Sequence, residues 1–260
     1  NQHDDFDGAI GAAMVEQDDV IALSMRDMPQ TNEVGRSAAI AAALMVARQQ
    51  FGLPFALLEI GSSCGLNLNL GYHEYDLGGV PAGVIGSPVK IAPAWSGGNP
   101  PPASIEIVTA RGTDLNPLNA SDPHMRDRLL SYVWADQPHR ARRLEAALAL
   151  ALRHPPRVDH ADAVTWLSAR LEDVQPAGQC RVVFHSMVLQ YLTERDRHIV
   201  ASTIRHAGAR ASADRPLAWI SFEWTALRDQ VELRLTCWPG GQTRVLATCH
   251  PYGEWIDWRL

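Results

Sequence analysis

Three observations predict an α/β fold with a mostly parallel sheet of seven strands, closed by an antiparallel hairpin and preceded by helices. The run Phe55-Ala56-Leu57-Leu58-Glu59-Ile60 is continuous, apolar and of strand length, and a glycine–serine turn follows it. Such a run suits a strand buried on both faces of a parallel sheet. Downstream, strand-like runs alternate with helical stretches, which is the pattern of βαβ units. Near the C-terminus, residues 231–238 and 243–249 alternate around Pro239-Gly240-Gly241-Gln242, a hairpin signature.

The first 54 residues read as helices and are expected to form an N-terminal lid or cap, the remainder of a longer helical region. Within them, residues 37–51 are Ala-rich with apolar residues at helical spacing, and Gly52-Leu53-Pro54 stops the helix. One α/β domain is expected over 55–260. Its first strand is 55–60, followed by a tight turn into a helix. Residues 77–103 are rich in glycine and proline, including Gly97-Gly98-Asn99-Pro100-Pro101-Pro102. They read as an inserted loop over one edge of the sheet, with a short extended piece at 89–92. A second strand is expected at 104–110, ending in Arg111-Gly112-Thr113-Asp114, and a long helix at 125–152, closed by His154-Pro155-Pro156. Strands at 158–164, 181–184 and 217–222 come next. A helix at 194–209, capped by Thr193, lies between the last two.

Composition removes several function classes. The 260 residues carry 23 basic and 29 acidic side chains, for a net charge of −6. No stretch supplies the dense basic face that duplex nucleic acid requires. The nearest, Arg140, Arg142 and Arg143, reads as a solvated helix face. Lys90 is the only lysine, and its neighbours are Val89 and Ile91. A phosphate-binding Gly-Lys-Ser/Thr loop and a Tyr-x-x-x-Lys dehydrogenase are therefore excluded. Nothing else favours a Schiff base with pyridoxal phosphate on Lys90. The cysteines, Cys64, Cys180, Cys237 and Cys249, form no Cys-x-x-Cys pair, which points to a reducing, cytoplasmic setting. No metal-ligand spacing appears, and no apolar run approaches the ~20 residues of a membrane span.

The chemistry concentrates in Glu59-Ile60-Gly61-Ser62-Ser63-Cys64-Gly65-Leu66-Asn67. A strand, a small-residue turn and a helix bring backbone N–H groups to the C-terminal edge of the sheet, where open α/β sheets bind ligands. As Gly61-x-Ser63-x-Gly65, the turn matches the nucleophile elbow of α/β-hydrolases, with Ser63 as nucleophile and His185 or His250 as base. As Glu-x-Gly-x-x-x-Gly-x-Asn, it resembles motif I of class I S-adenosylmethionine-dependent methyltransferases, with Ser63 at the usual middle glycine. Order along the chain favours the second, since only helical sequence precedes this strand.

That resemblance implies a Rossmann-like class I methyltransferase fold and S-adenosylmethionine as cofactor, held by Glu59, Gly61, Ser63, Gly65, Asn67, Asp114 and Asp162. Asp114 corresponds to the acid that binds the ribose hydroxyls, and Asp162 to the acid that meets the adenine amino group. Phe184-His185-Ser186-Met187 corresponds to motif IV, facing the reacting methyl. Five segments, Gln30 to Arg36, Leu58 to Asn69, Arg111 to Leu118, Leu130 to Trp134 and Val183 to Ser186, also resemble the uncharacterised bacterial family called domain of unknown function 2332.

Thr31-Asn32-Glu33-x-x-Arg36 opens the Ala-rich helix, either as a cap with first-turn charges or as part of a lid with its polar groups in the cleft. Under the second reading Asn32 and Arg36 bind substrate and Glu33 joins His185 in acceptor chemistry, while Glu223 on the fifth strand borders the substrate pocket. A hydrogen-bonded structural role is the competing reading for His185. The expected function is methyl transfer to a small or medium-sized acceptor. A serine hydrolase and a non-catalytic binding protein on the same scaffold are the alternatives.

Overall fold

The computed structural model describes residues 6–25 and 30–260, so positions 1–5 and 26–29 of the expected helical region lie outside it. Two compact units divide between Thr31 and Asn32 rather than at residue 54. The first holds α1 (Phe6–Glu16) and α2 (Asp18–Ser24), the latter with Asp18 and Asp19 in its first turn, where the helix dipole favours acids.

The second unit opens with a 3-10 turn, Val34–Arg36, that runs into α3 (Ser37–Phe51). Alanine is the best helix former, and here it also allows close approach from every side: Ser37 to Ala47 are all buried. Burial all round makes α3 a core helix of this unit rather than part of a detachable cap. It ends at Gly52, whose φ of +68° is the left-handed cap that glycine adopts without a Cβ clash.

After α3 come β1 (Phe55–Ile60), a 3-10 segment at Leu66–Tyr72, and four short strands: β2 (Glu74–Leu77), β3 (Val80–Gly83), β4 (Lys90–Ile91) and β5 (Ala94–Gly97). Then follow β6 (Ile107–Asp114), α4 (Pro123–Ser131), α5 (Pro138–Arg153), β7 (Val158–His160) and α6 (Ala163–Glu172). The chain finishes with β8 (Cys180–Ser186), a 3-10 turn at Leu189–Tyr191, α7 (Glu194–Ala209), β9 (Leu217–Trp224), β10 (Val231–Trp238), β11 (Gln242–Cys249) and β12 (Trp255–Trp258).

The main sheet has nine strands, not seven, in the order β5-β12-β11-β10-β9-β8-β1-β6-β7. Strands β7, β6, β1, β8 and β9 are parallel, and β10, β11 and β12 continue from β9 as an antiparallel meander. Residues 77–103 are not a loop. Part of them builds a three-stranded sheet, β3-β2-β4, and β5 pairs with β12 at the far edge of the main sheet. Strands of two to four residues carry too little periodicity to be read locally. The expected strand at 158–164 stops at His160, because Asp162 turns the chain by capping α6. The single helix at 125–152 is two helices, and the expected strand at 104–110 runs from Ile107 to Asp114.

Alternate residues of the parallel strands face opposite layers. Phe55 and Leu57 join Val182, Phe184, Ala218, Ile220 and Phe222 in the core that includes α3, while Ile60, Val183 and Leu217 pack with α6 and α7. Each such aliphatic or aromatic side chain contributes roughly 1.5–3 kcal/mol on burial, and this two-sided burial holds the sheet. Because β1 lies between β6 and β8, the strand order reverses there, and the crevice of the sheet opens at the C-terminal ends of β1 and β8.

Candidate functional site

Both strands at that crevice end in strained backbone. Ser63 after β1 has φ +54° and Met187 after β8 has φ +61°, values that L-residues adopt at a cost of roughly 1–2 kcal/mol. Strain of this kind persists where the surroundings over-determine it, commonly at binding sites. Gly61 and Gly65 also have positive φ, and their missing side chains admit the protein's own atoms. A Cβ on Gly61 would lie 2.1 Å from Val188 Cγ2, and one on Gly65 2.7 Å from Val158 Cγ2.

Two polar side chains from distant elements hold this turn. Asp114, at the end of β6, accepts from Ser63 N at 2.8 Å through Oδ2 and from Asn116 N at 2.9 Å through Oδ1. Asn32 Oδ1 accepts from Leu66 N at 2.9 Å, so Asn32 fixes the start of the 3-10 segment. Three other polar atoms of the turn have no partner. Glu59 Oε2, Ser63 Oγ and Asn67 Oδ1 are buried without a hydrogen bond. Burial pushes the Glu59 carboxyl up to about 8, against the lowering effect of a hydrogen bond with Ser62; Asp114 adds to the rise and Arg36 opposes it.

The remaining candidates are engaged elsewhere. Glu33 sits in a buried ion cluster: Oε2 accepts from Arg140 Nε at 2.7 Å, and Oε1 from Arg143 Nη2 and Gly35 N, each at 2.9 Å. Burial alone would raise its pKa, but Arg143 and Arg140 outweigh it and hold the carboxyl below its usual range. Arg36 reaches the end of β8, donating through Nε to Pro251 O at 2.8 Å and through Nη1 to Ser186 O at 3.3 Å. His185 is fully buried, with Nδ1 at 2.7 Å from Glu223 Oε1 and Nε2 accepting from Trp219 Nε1 at 2.9 Å. Since Trp219 can only donate, Nδ1 carries the proton and donates to Glu223, so neither ring nitrogen is left for an acceptor. Glu223 Oε1 also accepts from Val188 N at 3.0 Å, fixing the turn after β8. Asp162 is exposed and caps α6 through Thr165 N at 3.0 Å.

The sequence thus brings Glu59, Ser63, Asn67 and Asp114 into one place, with Asn32 bracing them. It places Glu33, His185 and Asp162 in structural roles. It also misassigns two cations: of the supposed solvated trio only Arg142 is exposed, while Arg143 pairs with Glu33 and Arg140 is buried and lies 3.9 Å over the Tyr252 ring. The signal was present, because Arg140 falls on the apolar stripe of α5 with Leu144 and Leu148, one and two turns on. No group of three His, Cys, Asp or Glu among the described residues could hold a metal.

The family model of DUF2332, uncharacterised proteins conserved in bacteria, matches residues 1–258. The chain belongs to the DUF2332 family. No curated protein and no solved structure matches it. Within this DUF2332 chain, no described helix is long and apolar enough to cross a membrane.

Proposed function

We propose that the crevice at β1 and β8 binds S-adenosylmethionine and that the protein is a methyltransferase of Rossmann-like class I type, acting on a small or medium-sized acceptor. The observation that carries this reading is the set of unpartnered atoms on the turn, Glu59 Oε2, Ser63 Oγ and Asn67 Oδ1. Each can accept a hydrogen bond, and the Ser63 hydroxyl can also donate one; leaving such an atom buried and unpaired costs about 1–3 kcal/mol, which a polar ligand offsets. Glu59 adds sign to the argument, since a desolvated carboxyl without a cation in contact suits a positively charged ligand.

When bound, the sulfonium supplies an electrophilic methyl group for in-line displacement. The chain's part is then to bind and orient: Glu59, Ser63 and Asn67 would meet the cofactor's polar atoms, and Asp114 and Asn32 keep their turn in place. Proximity and orientation are the main catalytic needs of such a displacement, so the engagement of Glu33 and His185 does not weigh against it. The serine hydrolase reading draws support from the φ of Ser63. It lacks a base, because Ser63 Oγ has no partner and His250 Nδ1 accepts from Tyr252 N at 3.3 Å.

Calorimetric titration of the full chain with S-adenosylhomocysteine tests the reading. Saturable binding is expected, weakened about tenfold or more by Glu59→Gln. Because Glu59 is held near pH 8, the affinity for the positively charged S-adenosylmethionine should rise as the pH is raised towards 8 and level off above it. Absence of heat with ligand at sub-millimolar concentration would overturn the cofactor assignment. Binding without methyl transfer to a panel of small acceptors would favour the non-catalytic alternative.

A further inference from the structure

A second concavity lies along the N-terminal half of β6 and has no part in the site above. It exists because β7 is short: its three residues pair only with Gly112, Thr113 and Asp114, leaving the flank of Ile107 to Arg111 without a strand on that side. Pro155 and Pro156 hold the chain off β6 before β7 begins, since proline cannot donate to a ladder. The resulting cavity has a volume of about 470 Å³, within the several hundred Å³ typical of small-molecule sites.

Its lining combines a flat wall, an apolar floor and positive charge. Tyr72 stacks on His154 with ring centroids 4.0 Å apart and planes 19° from parallel, and both rings line the cavity with Ile107 and Val108. Arg153 and Arg157 line it too, and neither forms a salt bridge among the described residues. The acids nearest in sequence are committed elsewhere. Glu106 pairs with Arg48 at 3.3 Å and Asp159 with Arg111 at 2.6 Å, Arg157 acts on Asp159 only at longer range, and neither acid lines the cavity. Arg111 and Arg157 share the one carboxylate of Asp159 and Arg153 has no salt bridge, so in a chain of net charge −6 the stacked rings lie beside a local excess of positive charge. Arg153 also complements the C-terminal dipole of α5, but that role leaves its outer nitrogens available.

We propose that this cavity binds a small anion built on a planar ring, with the acidic group on Arg153 and Arg157 and the ring against the Tyr72–His154 pair. Guanidinium forks recognise carboxylate, phosphate or sulfonate through paired charge-assisted hydrogen bonds, and the aromatic wall selects a flat partner. The probe is 8-anilino-1-naphthalenesulfonate, compared with N-phenyl-1-naphthylamine, the same ring system without the sulfonate, on the full chain. Fluorescence titration should show one saturable site for the anionic dye. The double variant Arg153→Ala/Arg157→Ala should weaken that dye by about tenfold or more and the neutral dye by no more than about twofold. Val108→Trp, which fills the cavity, should remove both. An unchanged thermal transition in each variant shows that it is folded. The proposal is overturned if the wild type shows no saturable site, if the arginine variant leaves the anionic dye unaffected or weakens both dyes equally, or if the dye persists in Val108→Trp.

Discussion

His73 shows how much a single side chain can reveal. It is fully buried, and its Nδ1 lies 3.2 Å from both Ser37 Oγ and the Tyr75 hydroxyl. Ser37 Oγ donates to Val34 O at 2.8 Å, and the Tyr75 hydroxyl has two acceptors, Leu70 O at 2.9 Å and Ser37 Oγ at 3.2 Å. Nε2 is buried with no partner, so a proton on both ring nitrogens would leave one unsatisfied. Burial pulls the histidine from its ordinary 6.5 to about 3. A folded-state pKa below the unfolded value means stability that is present above 6.5 and lost as pH falls towards 3, at up to about 1.4 kcal/mol per pH unit. Urea unfolding should show the stability advantage of the wild type over His73→Gln shrinking as the pH drops below 6.5. A constant difference across that range would contradict the neutral buried state. Glu59 has the opposite sign. Its pKa is raised from 4.5 to about 8, so its contribution is fully present below 4.5 and is lost as the pH rises through 8. The two residues oppose each other between 4.5 and 6.5, and only the single variants separate them.

Between elements, the Glu33 cluster ties the approach to α3 to α5. Glu33 also caps the 3-10 turn through Gly35 N, so one carboxylate serves the local backbone and the long-range contact together. Removing one partner of a buried ion pair leaves the other unpaired, which typically costs about 3–5 kcal/mol. Glu33→Gln should lower unfolding stability by that order, and adding Arg140→Met should recover part of it, both measured by urea denaturation. Additive losses would show that the pair is not coupled. Helices were the elements most legible in sequence. The spans 37–51 and 194–209 agree with α3 and α7, because Gly52 and Thr193 mark their ends with local chemistry: Thr193 Oγ1 accepts from Asp196 N at 3.1 Å. The stretch 158–164 misled because its apolar residues serve first a three-residue strand and then a helix, and so short a run does not distinguish the two.

At the scale of the whole molecule, the four cysteines report on global opening. All are free and buried, and burial raises every thiol, Cys64 and Cys237 to about 11 and Cys180 and Cys249 beyond that. They lie in β8, β10 and β11 and in the turn after β1, so exposing them requires the main sheet to open. An aromatic disulfide reagent should find no rapidly reacting thiol in the native chain and four after denaturation. Fast reaction of Cys64 alone would show that the turn opens separately from the sheet. The sequence alone determined the alternation of strands and helices and the glycine turn after β1, because local propensity, turn chemistry and chain order are written in consecutive residues. Tertiary structure alone decided the nine-strand count, the use of 77–103 as strands, and which polar side chains stay unpartnered. Those depend on pairing and burial between residues far apart in the chain, which satisfy Glu33 and His185 and leave Glu59 Oε2, Ser63 Oγ and Asn67 Oδ1 without partners.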